Sequence, residues 1–154
     1  MTRNAYVILA GAGSVALLAG AFFFQAIGYP PCTMCLWQRW PHAAAIAVML
    51  LALVLPGRWL PLAGALAMAA TVAIGLYHTG VERDWWEGPS SCTGAGAGLG
   101  GLSGTDLLAL DGPVLVMCDE VSWQFLTLSM ASWNMLLSLG LMAVWIAAYR
   151  ASRP

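Results

Sequence analysis

The sequence predicts an all-α membrane protein, a bundle of four transmembrane helices with both termini cytoplasmic and two loops on the outer face. Three observations predict it. The 154 residues are 60% hydrophobic and only 8% charged, with a mean hydropathy of +0.78, where a soluble domain carries about 25% charged residues. Four apolar runs, 5–27, 41–55, 60–77 and 133–149, alternate with segments that hold most of the prolines, all the acids and all the cysteines. The charge is also one-sided. There is no lysine, and four spans put Arg3, Arg58, Arg150 and Arg153 together on one side. Arg39 and Arg83 fall on the other side, with all seven acids: Glu82, Asp84, Glu87, Asp106, Asp111, Asp119 and Glu120. By the positive-inside rule the arginine-rich side is cytoplasmic. One integral membrane domain over 1–154 is expected, and no basic run points to nucleic acid.

The first run, 5–27, reaches roughly 34 Å as a helix, enough to cross the hydrocarbon. It is too long for the apolar core of a cleaved signal peptide, so a retained helix is expected. The first outer loop, 28–40, opens at Pro30-Pro31, which ends the helix and stiffens the approach to Cys32. The second run, 41–55, is short unless Leu36–Trp40 extend it into the headgroup layer, where Trp37 and Trp40 belong. Pro56-Gly57-Arg58 is a tight turn, so spans two and three are antiparallel neighbours. The third run, 60–77, carries Ala63, Gly64, Ala67, Ala70, Ala73 and Gly75, small residues whose spacing lets helices approach closely. The second outer loop, 78–132, holds two cysteines, a glycine-rich tract at 94–104, a Thr105-Asp106 cap for a short turn, and an apolar patch at 114–117. The tract lacks G-K-[ST] and opens no helix, so it is not a nucleotide loop. Its flexibility would let Cys92 travel. The last run, 133–149, closes on Arg150 and Arg153.

All four cysteines, 32, 35, 92 and 118, lie outside the apolar runs, on the outer face, which in a bacterium is the oxidising periplasm. C-x-x-C at Cys32–Cys35 is a redox spacing, because one turn of chain lets the two sulfurs meet. Cys92 and Cys118 are too far apart for a second zinc knuckle, so no metal is expected. Were the motif helical, Cys35, Arg39 and His42 would share one face, and Arg39 would lower the Cys35 pKa. Pro41 argues instead for a helix that starts there, leaving Cys35 and Arg39 in an entry turn. Two cysteine pairs on one face suggest a relay by disulfide exchange. A C-x-x-C at the lipid boundary with a cation beside it suits a lipid-soluble two-electron acceptor, a quinone. Arg39 would stabilise charge on the reduced oxygen. Quinone reduction consumes protons, which makes His42 and His78 candidates at the site. Gln25, at the end of the first run, is a weaker one.

These residues resemble the DsbB family, quinone-linked enzymes that reoxidise the periplasmic thiol oxidase DsbA. The resemblance rests on Pro31-Cys32-Thr33-Met34-Cys35 with Arg39 four residues later, on a second cysteine pair in the larger outer loop, and on Cys118-Asp119-Glu120 leading to Trp123, Phe125 and Trp133. It runs over nearly the whole chain. It implies a multi-pass protein of the bacterial inner membrane, with a DsbA-like thioredoxin-fold partner and ubiquinone or menaquinone as cofactor. It implies that Cys92 forms the mixed disulfide with the partner and that Cys118 pairs with it. Cys118 then exchanges with Cys32, and Cys35 passes electrons to the quinone beside Arg39. The vitamin K epoxide reductase class shares the four-helix bundle and C-x-x-C, but there the loop pair precedes the C-x-x-C and here it follows. A non-catalytic four-span protein with stapled loops is the remaining alternative.

Overall fold

The computed structural model describes residues 1–89, 92 and 116–152. Four helices make up nearly all of it: α1 (Arg3–Ala26), α2 (Thr33–Val54), α3 (Trp59–Glu82) and α4 (Met130–Ala151). A two-stranded antiparallel hairpin, β1 (Gln124–Phe125) and β2 (Leu128–Ser129), leads into α4. Each helix packs on its neighbour in the chain, and α4 returns to pack on α1, closing a ring. By length and composition α1, α3 and α4 can each cross a membrane. The N-terminal half of α2 carries Gln38, Arg39, Pro41 and His42, which lower its hydropathy.

The core at one end of the bundle is small-residue packing around one large ring. Val7, Ala10, Ala45, Ala52, Ala65, Met68 and Ala148 surround Trp145, all of them buried. Gly64 lies flat against the Trp145 indole, and a Cβ there would run into the ring. Small residues thus set how closely α3 and α4 approach. At the same end Arg3 donates to the carbonyls of Ala52 (2.8 Å) and Gly57 (3.1 Å). Arg58 donates to the Tyr149 hydroxyl at 3.2 Å. The N-terminus, the α2–α3 turn and the end of α4 therefore share one end of the bundle. The cysteines occupy the other.

Three element boundaries differ from expectation. Helix α2 begins at Thr33 rather than Pro41, and Pro41 sits inside it. The Cys32 sulfur accepts the Cys35 N–H at 3.2 Å, so the first cysteine caps the helix that carries the second. Helix α3 continues past Tyr77 to Glu82, because the polar side chains of this last turn are satisfied inside the protein rather than in water. The segment before α4 is a hairpin whose two-residue turn, Leu126 (φ 50°) and Thr127 (φ 66°), is left-handed. Ser129 then caps α4 by accepting the Ser132 N–H at 3.1 Å. The glycine tract 94–104, the expected turn after Thr105, and residues 114–115 of the apolar patch lie outside the described residues.

Candidate functional site

The site is assembled from the N-cap of α2, the last turn of α3, the first turns of α4 and the loop before β1. Capping places the Cys32 sulfur 2.9 Å from that of Cys35, both as free thiols. The last turn of α3 brings His78 alongside, its Nε2 3.6 Å from the Cys32 sulfur. Cys92 and Cys118 form a disulfide with Cα atoms 5.2 Å apart. The loop seats that disulfide on the same cluster. Cys32, Cys92 and Cys118 are all buried there with Met34 and Val81. The sulfurs of Cys32 and Cys118 and a ring nitrogen of His78 lie within 4.8 Å of one another.

This surrounding sets which sulfur carries charge. The hydrogen bond from Cys35 is the largest influence on the Cys32 thiol. Contact with His78 and the Cys35 backbone N–H add to it, and together they outweigh burial, holding the thiol down to about 4. In the reduced pair Cys32 is thus the sulfur that more readily carries charge, and a sulfur whose thiolate is stabilised leaves a disulfide more readily.

Below the cysteines lies a cavity of about 440 Å³. Cys32, Cys35, Arg39, His42 and His78 all line it, with apolar walls from Leu17, Ala21 and Phe24 of α1 and Leu137 of α4. Trp123, stacked on Phe125 and 5.1 Å from Phe24, lies at the same mouth. Arg39 does not bond Cys35. Its guanidinium donates to Gln25 Oε1 at 2.8 Å and to the Ala21 carbonyl at 3.4 Å, and sits over the Phe22 ring. The fold brings Arg39 and Cys35 to one cavity without direct contact, and the partner of the reactive sulfur is His78. His42 is buried, its Nε2 3.0 Å from Asn134 Oδ1, while its Nδ1 has no partner among the described residues.

Several polar residues that frame the site were not foreseen. Asn134 donates to Gln38 Oε1 (2.6 Å) and Thr71 Oγ1 (3.2 Å), and the Gln38 amide nitrogen lies 2.9 Å from His78 Nδ1. An uninterrupted chain of contacts thus runs from Cys32 through His78, Gln38 and Asn134 to His42. Glu82 lies 3.8 Å from the same His78 Nε2 that faces Cys32, and its carboxylate accepts from Ser129. The signal available in the sequence was the presence of Gln38, Thr71 and Asn134 in or beside apolar runs, since polar groups at such depth must find partners inside the protein.

The chain matches the family model described as disulfide bond formation protein DsbB over residues 3–148. It is 35% identical over 138 residues to disulfide bond formation protein B of Aromatoleum aromaticum, covering 82% of this chain and 78% of that protein. It is 29% identical over 141 residues to the protein of that name from Aeromonas hydrophila, covering 85% and 78%. No solved structure matches. A family match spanning almost every described residue, together with cysteine pairs in contact at one end of a helical bundle, identifies the chain as a member of the DsbB family of disulfide bond formation proteins.

Proposed function

We propose that this chain is a four-span inner-membrane thiol-disulfide oxidoreductase that reoxidises a periplasmic DsbA-type dithiol and passes the two electrons to a membrane quinone. The observation that carries the proposal is the contact of the two cysteine pairs beside the cavity, with Cys32 and Cys118 sulfurs within 4.8 Å. On this reading α2 is the fourth span. Gln38 and His42 are buried within the bundle, and the half-buried Arg39 is bonded to Gln25 of α1, so these polar groups find partners inside the protein. Arg3, Arg58 and Arg150 at the opposite end favour that end as cytoplasmic, which sets the cysteines in the periplasm.

The relay runs in balanced exchanges. One thiolate of the partner attacks the Cys92 sulfur, forming a mixed disulfide and releasing Cys118 as thiolate. The partner's second thiol then displaces Cys92 and leaves the partner oxidised. Cys118 attacks Cys32 of the Cys32–Cys35 disulfide, and Cys35 departs as thiolate. Cys92 next attacks Cys118, which restores the loop disulfide and leaves Cys32 and Cys35 reduced. A Cys92–Cys118 disulfide beside a Cys32/Cys35 dithiol is the state that then awaits the quinone.

The cavity fits a quinone headgroup. It is apolar-walled, it is bordered by the Cys35 thiol, and Arg39 brings a cation to its wall. A bound quinone supplies the two-electron sink and takes up two protons. Arg39 would orient an oxygen and stabilise charge there, the Cys35 hydrogen bond and then His78 favour the charged form of Cys32, and Cys35 is the exit sulfur. His42 and His78 lie where protons are needed. Cys35→Ser is expected to abolish quinone reduction while the protein still inserts and still forms the Cys92–Cys118 disulfide. Stopped-flow quinone absorbance with a reduced DsbA-type partner reads this, and turnover retained in the variant refutes the route.

A further inference from the structure

The cysteine spacing in the sequence argues against a zinc site. Folding assembles a different donor set. The Cys32 sulfur, the Cys118 sulfur and a His78 ring nitrogen lie within 4.8 Å of one another, on three separate segments, and all three residues are buried. The Cys35 sulfur is 2.9 Å from that of Cys32. A tetrahedral zinc ion, with Zn–S about 2.3 Å and Zn–N about 2.0–2.1 Å, has ligand-to-ligand edges of roughly 3.5–3.8 Å. The 3.6 Å from Cys32 Sγ to His78 Nε2 is such an edge. The cysteine pair would open by about an ångström to match it. Cys32, Cys118 and His78 are three donors already gathered, and Cys35, close to Cys32 but outside that set, closes the site as the fourth ligand by turning its sulfur toward the ion. A metal-bound histidine needs a partner for its other nitrogen. Here the Gln38 amide is 2.9 Å from Nδ1 and can accept the Nδ1–H by turning its oxygen away from Asn134, from which it now accepts.

We propose that the fully reduced protein carries a soft-cation site formed by Cys32, Cys35, Cys118 and His78, which captures a zinc-class ion and holds the chain in its reduced form. The loop disulfide is the gate. While Cys118 is bonded to Cys92 it has no thiolate to give, and a Cys32–Cys35 disulfide removes two further donors. Reduction of both pairs exposes the set. Binding then exchanges the thiol protons, one per cysteine still protonated, for one divalent ion, and no electrons move. Cys92 is not a ligand. The inference rests on the redox reading only in requiring that both pairs can be reduced, and quinone has no part in its test.

The test is a titration of the purified full chain with Co²⁺, used as the spectroscopic stand-in for Zn²⁺, in a phosphine reductant. Tetrahedral cobalt bound by thiolates gives ligand-to-metal charge-transfer absorption and intense visible bands. Reduced wild type is expected to show both, saturating at one equivalent and bleached by one equivalent of Zn²⁺, and the oxidised protein neither. Cys118→Ser and His78→Ala are each expected to weaken Zn²⁺ at least tenfold, and Cys92→Ser to leave its affinity within twofold of reduced wild type. The absence of a tetrahedral spectrum in reduced wild type overturns the proposal without reference to any variant. So does equal binding by the oxidised protein, or a loss in Cys92→Ser as large as in Cys118→Ser. A positive titration alongside failed quinone turnover would uphold this site and reject the relay.

Discussion

Cys32 is the residue on which the chemistry turns, and what surrounds its sulfur favours the charged form. The Cys35 hydrogen bond and His78 hold its thiol down to about 4, against an unfolded value of 9.0. Folding favours the charged form, so this group contributes stability that is complete above about pH 9 and is lost as pH falls to about 4. In the reduced protein, with chelator present, thiolate absorbance from one cysteine is expected to persist from pH 8 down to pH 5 and fade only near 4. His78→Ala should move that titration upward, and a midpoint above 8 in wild type would refute the assignment. Arg39 acts at a distance from the sulfur. Arg39→Ala is expected to raise the KM for quinone by about tenfold or more, the scale of one lost charge-assisted hydrogen bond. Exchange between the cysteine pairs should be little changed, since the Arg39 hydrogen bonds go to Gln25 and Ala21. The i,i+4 spacing rightly drew attention to Arg39 but could not show which way the guanidinium turns. The partner that does touch Cys32 comes from 46 residues away, which no local pattern reports.

At the scale of elements, the apolar runs gave the helices, and their ends depended on polar residues with hidden partners. His78, Thr79 and Glu82 read as loop because they are polar. They are helical because Cys32, Ser132 and Ser129 satisfy them. Pro41 read as a helix start, but the N-cap at Cys32 begins the helix before it. The hairpin before α4 was illegible because its left-handed turn is made by Leu126 and Thr127, where glycine or asparagine would have announced it. Small residues were legible as packing positions, and Gly64 is the sharpest case. Gly64→Ala puts a methyl into the Trp145 indole and is expected to cost about 1–3 kcal/mol, as overpacking does. Thermal unfolding in detergent should fall by several degrees, whereas Gly20→Ala, inside α1 where nothing lies near, should not lower it.

At the scale of the molecule, two ends of one bundle do different work. One end joins the chain termini to the α2–α3 turn through Arg3 and Arg58. The other gathers both cysteine pairs over an apolar cavity. The central claim is that electrons enter at Cys92, cross from Cys118 to Cys32 and leave at Cys35. The most direct test is quinone reduction by the purified protein with a reduced DsbA-type partner, wild type against Cys92→Ser, followed by quinone absorbance. The account predicts wild-type turnover that falls to background in Cys92→Ser. Turnover surviving in the variant would contradict it, since the partner would then reach the Cys32–Cys35 pair directly and the loop disulfide would be a staple.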